Sequence, residues 1–192
     1  QNRIEEIPAG INNQRDLKIL LLSDNEIKTL PEEITELDSL HYLALDGNPL
    51  TSLPDSLAKL RHLEYLSLSI DNLVNPGKTF KKIASLPKLK KLFLDAGEMP
   101  TIPEDLMLPP AITSLYIYAN SAKSLPENFY THENLTELTL WMNNPEPNPD
   151  DLQKLKSLKI LYLSIKVSNK VLEDLETALP DCIIYTKNNL LN

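Results

Sequence analysis

Residues 40–60, LHYLALDGNPLTSLPDSLAKL, carry the pattern that most restricts this chain. Leu40, Leu43, Leu45, Leu50, Leu53, Leu57 and Leu60 are spaced L-x-x-L-x-L, then L-x-x-L-P and L-x-x-L, with Asn48 between the two halves. The L-x-L step has the period of two that belongs to a short strand, whereas the later steps suit a returning turn or helix. A unit this small cannot bury its own leucines, so it must stack on copies of itself.

Those copies run through the sequence. One frame earlier the same positions hold Leu17, Leu20, Leu22, Asn25, Ile27, Leu30 and Ile34. Later frames open at Leu63, Leu89, Ile112, Leu135 and Leu158, in steps of 23 residues except for one of 26 between Leu63 and Leu89. Partial frames continue at both ends, with Asn2, Ile4 and Ile7 at the start and Ile184, Asn189 and Leu191 at the finish.

The repeat resembles the leucine-rich repeat family, and most closely its 23-residue, Leu-Pro-containing variety. The resemblance implies an α/β fold: a right-handed solenoid, or horseshoe, with one parallel sheet on the concave face. Residues 1–192 then form one domain of seven full repeats plus partial frames. It also implies use as a protein-interaction scaffold rather than as an enzyme.

The Asn slot has a physical role in such a stack. A buried amide both donates to and accepts from backbone groups where the strand gives way to the turn. Asn2, Asn25, Asn48, Asn120, Asn143 and Asn189 keep the residue, and Asp71 keeps an acceptor. Gly97 and Lys166 break the series, so the ladder is expected to loosen there. The long frame inserts residues around 72–77, and NPGKTFKKIASL then reads as a turn leading into an amphipathic helix with Phe80, Ile83 and Leu86 inward. Pro145, Pro147 and Pro149 defer helix until a cap at Asp150 or Asp151, giving a segment near Leu152–Leu155. Residues 169–178 read as helix.

Composition narrows the function. The net charge is −8 and no basic stripe occurs, which argues against a nucleic-acid partner. No apolar run reaches the roughly 18 residues of a membrane span. Cys182 is alone, so no internal disulfide forms; the disulfide-bonded end caps of many secreted animal relatives are missing, which favours an intracellular or bacterial-envelope setting. The chain opens on Gln1 and so reads as processed or trimmed, which leaves export undecided. Gly77-Lys78-Thr79 resembles the end of a phosphate-binding loop, but the earlier glycine that loop needs is Asn72. His41, His62 and His132 occupy different frame positions with no metal-ligand spacing, and Cys182 reads as an inert, partly buried thiol. No catalytic, cofactor-binding or metal-binding residues are assigned, and no cofactor is expected.

The informative positions are the x residues of each strand, which point away from the core because side chains alternate. Eight of the 11 aromatic residues fall there: Tyr42, Tyr65, Phe93, Tyr116, Tyr118, Trp141, Tyr162 and Tyr185. Exposed apolar surface of this kind marks interaction sites, and Tyr and Trp often dominate interface energy. The expected partner-binding surface is Phe93, Tyr116, Tyr118, Trp141, Tyr162 and Tyr185, with Asp95 and Glu137 at its border. A monomer binding a protein or peptide there is the favoured function. The alternatives are a sensing or targeting domain of a larger, possibly catalytic protein, and a carbohydrate-binding groove.

Overall fold

The computed structural model describes residues 2–122, 124–143 and 148–187. Pro145, Pro147, Asn189 and Leu191 lie outside the described residues.

Each L-x-L step lays down a strand. These are β1 (Ile19–Leu21), β2 (Tyr42–Leu45), β3 (Tyr65–Ser69), β4 (Lys91–Asp95), β5 (Ser114–Ala119), β6 (Glu137–Met142), β7 (Ile160–Leu163) and β8 (Ile183–Tyr185). All eight form one open parallel sheet in chain order. Register follows the repeat. Ile19 faces Tyr42, Tyr65 faces Lys91 and Ser114 faces Glu137, so the 26-residue step is absorbed outside the sheet. The consensus leucines Leu43, Leu66, Leu92, Leu115, Leu138 and Leu161 are fully buried and belong to one continuous core. A parallel sheet needs a crossover between every pair of strands, and the return segments supply it. Short 3-10 turns lie at Glu32–Glu36, Leu57–Lys59 and Glu127–Thr131, with another at Ala9–Asn13 before β1; helices serve the other returns, except that from β4 to β5, which is irregular.

The 26-residue frame returns through α1 (Pro76–Ala84), which buries Phe80 and Ile83, with Leu86 beyond it. Asn75 caps it by accepting from the Lys78 amide, and Pro76 stands in the first turn, where its missing N–H costs nothing. Gly77 permits a close approach. A Cβ there would fall 1.7 Å from a carboxylate oxygen of Asp105 in the next frame. α2 (Pro149–Leu152) begins earlier than the sequence reading placed it. Asn148, not Asp150 or Asp151, is the cap, accepting from the Asp150 amide. Pro149 opens the helix instead of deferring it, because a proline at the first helical position has the right φ already. α3 (Asn169–Ala178) covers the residues read as helix and starts at a Ser168 cap that accepts from the Val171 amide.

The Asn slot divides the molecule. Asn48 is buried; its carbonyl accepts from the Ile27 amide while its NH2 donates to the carbonyls of Leu22 and Leu45. Asn25 does the same one frame earlier, accepting from Ile4 and donating to Leu22. From the third frame on, the ladder is abandoned. Asp71 and Asn143 are exposed, and Asn120 turns to Glu98 and the Tyr118 hydroxyl. The residue one place earlier goes inward instead: Ile70, Ala96, Ala119 and Met142 are buried. In the first two frames that place holds Asp24 and Gly47, at φ 56° and 69°. A left-handed residue ends the strand and swings the next side chain inward; an apolar residue there prolongs it. The expectation that Asn120, Asn143 and Asp71 continue the ladder is therefore corrected.

Candidate functional site

Strand alternation projects the x residues onto the concave face, in two unlike halves. Around β2 and β3 the face is polar and internally bonded. Asp46 accepts the hydroxyl of Ser23 at 2.8 Å and that of Ser67. Ser69 accepts from the Gly47 amide and donates to Asp95 at 3.3 Å. Tyr42 and Tyr65 stack at 3.9 Å between ring centres, nearly parallel. Burial, then the hydrogen bond to Tyr42, raises the Tyr65 pKa. Ala44, Ser67, Ser69, Ser114 and Thr139 are buried between taller neighbours, so not every x position is open surface as the alternation alone suggests. Ile19 and Leu21 on β1 are open, at 58% and 67% exposure.

The C-terminal half is aromatic. Register brings Phe93 beside Tyr116, Tyr116 beside Thr139 and Thr139 beside Tyr162, while Tyr118 faces Trp141 and Tyr162 faces Tyr185. Trp141 is the hub, its ring centre 6.1 Å from Phe93, 6.5 Å from Tyr116 and 6.3 Å from Tyr162. Tyr162 continues the row to Tyr185 at 6.5 Å. Four of the five are linked to Trp141 directly or through one ring. Tyr118, 37% exposed, joins through its register with Trp141 and accepts a hydrogen bond from Asn120.

The two acidic residues assigned to the border behave differently. Asp95 is committed to the Ser69 hydroxyl and the Gly97 amide. Glu137 lies beside the Tyr116 hydroxyl; burial, then this carboxylate, push the Tyr116 pKa up to about 12, so the phenol stays neutral across the physiological range. None of the ion pairs among the described residues involves Glu137.

The sequence reading missed three placements. The Tyr42–Tyr65 stack has a signal, since both occupy one column in successive frames. The Ser–Asp46–Ser network was hidden because short polar x residues look like plain solvent-facing positions. His41 and His62, at different frame positions, stack at 5.9 Å because the loop before each strand brings adjacent frames together. Among the described residues, no group of three or more His, Cys, Asp or Glu is placed to hold a metal ion, and no helix is long and apolar enough to cross a membrane. Cys182 is half-buried, and desolvation pushes its thiol up to about 11, away from a reactive thiolate.

The fold recurs in solved structures. A leucine-rich repeat protein of Leptospira interrogans matches at 23% identity over 95% of this chain and 52% of its own, with a TM-score of 0.60. The leucine-rich repeat domain of the type III effector XopL matches at 18% identity over 99% of this chain and 75% of its own, with a TM-score of 0.57. An internalin of Listeria monocytogenes matches at 17% identity over 97% and 58%, with a TM-score of 0.56. This chain thus spans about half the length of the Leptospira protein. No curated protein sequence matches it. The profile described as leucine-rich repeat region matches residues 1–176, and with the repeat, the sheet and the core in agreement, the chain belongs to the leucine-rich repeat family.

Proposed function

We propose that this protein is a non-enzymatic scaffold that binds a protein or peptide on its concave sheet face, with the aromatic row as the contact. The family's general use as an interaction scaffold supports the class. The observation that carries the site is the Trp141 hub: three rings within 6.5 Å of it, with Tyr118 beside it in register and Tyr185 next to Tyr162. Large aromatic rings ordered before binding lose little side-chain entropy on association, which is why they anchor interfaces. The core runs unbroken from Leu22 to Ile184, which supports treating residues 1–192 as one unit.

The test is a random-peptide display selection on the full chain, counter-screened on Trp141→Ala, run beside a glycan array. Peptides that bind the native chain and lose it on Trp141→Ala support the reading. Glycan binding with the same dependence, and no peptides, replaces it with the carbohydrate groove. Binders indifferent to Trp141 move the contact off the aromatic row.

A further inference from the structure

We infer that the aromatic row is built to take a basic side chain, so that the partner presents an arginine or lysine between Tyr116 and Tyr162 with its charge toward Glu137. The inference rests on the protein-binding reading above and names the chemistry that the same surface selects.

The argument starts from β6. Glu137, Thr139 and Trp141 alternate onto one face of it, with the short Thr139 in the middle. Tyr116 stands in register on one side of Thr139 and Tyr162 on the other. Tyr116 and Tyr162 therefore flank the strip of β6 between Glu137 and Trp141, which lie about 13 Å apart along the strand. Ring faces attract cations, most strongly Trp, at centroid distances up to about 6 Å. Arginine adds a plane that lies against an aromatic ring while its N–H groups reach a carboxylate.

Charge complementarity singles out Glu137. Asp46 and Asp95, the other carboxylates of the central face, are occupied by serine hydroxyls and the Gly97 amide. Glu137 makes no ion pair among the described residues and has the neutral Tyr116 hydroxyl beside it. Lys91 lies in the same column two strands away, across buried Ser114, and makes no ion pair with it. Ile160, its register neighbour on β7, is apolar. A half-buried carboxylate among rings, unpaired with any cation, is where an incoming guanidinium or ammonium gains most. The chain's net charge of −8 favours the approach of a basic partner.

Trp141 is the sole tryptophan, so its fluorescence reports on the site directly. The full chain is titrated with the blocked tripeptide acetyl-Gly-Arg-Gly-amide and with its citrulline analogue, which is uncharged and nearly the same shape. A saturable change with the arginine peptide, at least about fivefold tighter than with citrulline, is expected, and Glu137→Gln removes that preference. Circular dichroism checks that Glu137→Gln keeps its fold. Equal responses to the two peptides, no response, or a preference that survives Glu137→Gln overturns the inference. Display-selected peptides that depend on Trp141 yet lack Lys and Arg also overturn it while leaving the protein-binding reading in place. A selection that yields no peptide sinks that reading, and the tripeptides still judge the cation site.

Discussion

Asn48 and Asn120 hold the same place in their repeats and do different work. Asn48 is sealed in the stack, satisfying one amide and two carbonyls. Asn120 sits at the surface, holding Glu98 and a tyrosine hydroxyl. The faces above them differ in parallel: serine hydroxyls close on Asp46 in the N-terminal half, and rings gather around Trp141 in the C-terminal half. The cause is one residue. Gly47 adopts φ 69°, ending β2 after Leu45, whereas Ala119 continues β5 as an inward rung. A longer strand carries Tyr118 and Trp141 in pairing register and extends the row of x positions. The local turn choice thus decides whether a repeat spends its end on a buried amide or on added binding surface.

The comparison breaks most readily at the core. If the halves differ only in turn and face, Leu43→Ala and Leu115→Ala should cost alike, about 2–5 kcal/mol each, since both are fully buried. Denaturant titration checks this. Each repeat touches only its neighbours, so the losses can spread as a broadened transition rather than a shifted one. A cost below about 1 kcal/mol at one site, against a full loss at the other, would show that the two halves do not share one core.

The next effect separates the halves directly. Asn48→Ala leaves the Ile27 amide and the carbonyls of Leu22 and Leu45 without their partner in a dry interior, a loss of about 2–3 kcal/mol. Asn120→Ala removes exposed bonds that water replaces, within about 0.5 kcal/mol. Equal costs in thermal melts would mean that the outer asparagines carry structural weight after all.

That split also marks how far the sequence could be read. Register, strand positions and the leucine core were legible because a stack of identical units leaves one way to bury L-x-x-L-x-L. The 26-residue step was legible as a looped-out helix because Phe80, Ile83 and Leu86 keep helical spacing. The asparagine ladder was misread because the slot alone does not set direction; the residue before it does, and Ile70, Ala96, Ala119 and Met142 were the available signal. The aromatic row was legible as a column of residues. Its convergence on Trp141 was not, since that depends on rotamers, and neither was the capture of Asp95 by Ser69 and Gly97.

A smaller effect sharpens the functional side. Trp141 is half-buried among rings rather than in the core, so Trp141→Ala should cost about 1 kcal/mol in folding while removing about 2 kcal/mol or more of binding to a peptide selected on this face. Calorimetry against a melting curve measures both. The paired change in the N-terminal half, Tyr42→Ala, should spare that binding, because its stack with Tyr65 lies outside the row. Equal binding losses from the two would make the whole concave face the contact.

The smallest effect is a titration. Tyr116 is held neutral by burial first and by the Glu137 carboxylate beside it second, with a pKa of about 12. Its folded value lies above the ordinary phenol value near 10, so its contribution to stability is complete below about pH 10 and disappears as pH rises toward 12. Phenolate absorbance should therefore lag for Tyr116, and Tyr116→Phe should delete one late-titrating group. Glu137→Gln should bring the Tyr116 transition down, since the charged acceptor that disfavours the phenolate is gone. Burial persists in that variant, so the transition should stay above the ordinary phenol value. A Tyr116 that titrates near 10 in the native chain would mean that its hydroxyl stands in water, with no carboxylate held beside the rings and no special place for a cation in the C-terminal half.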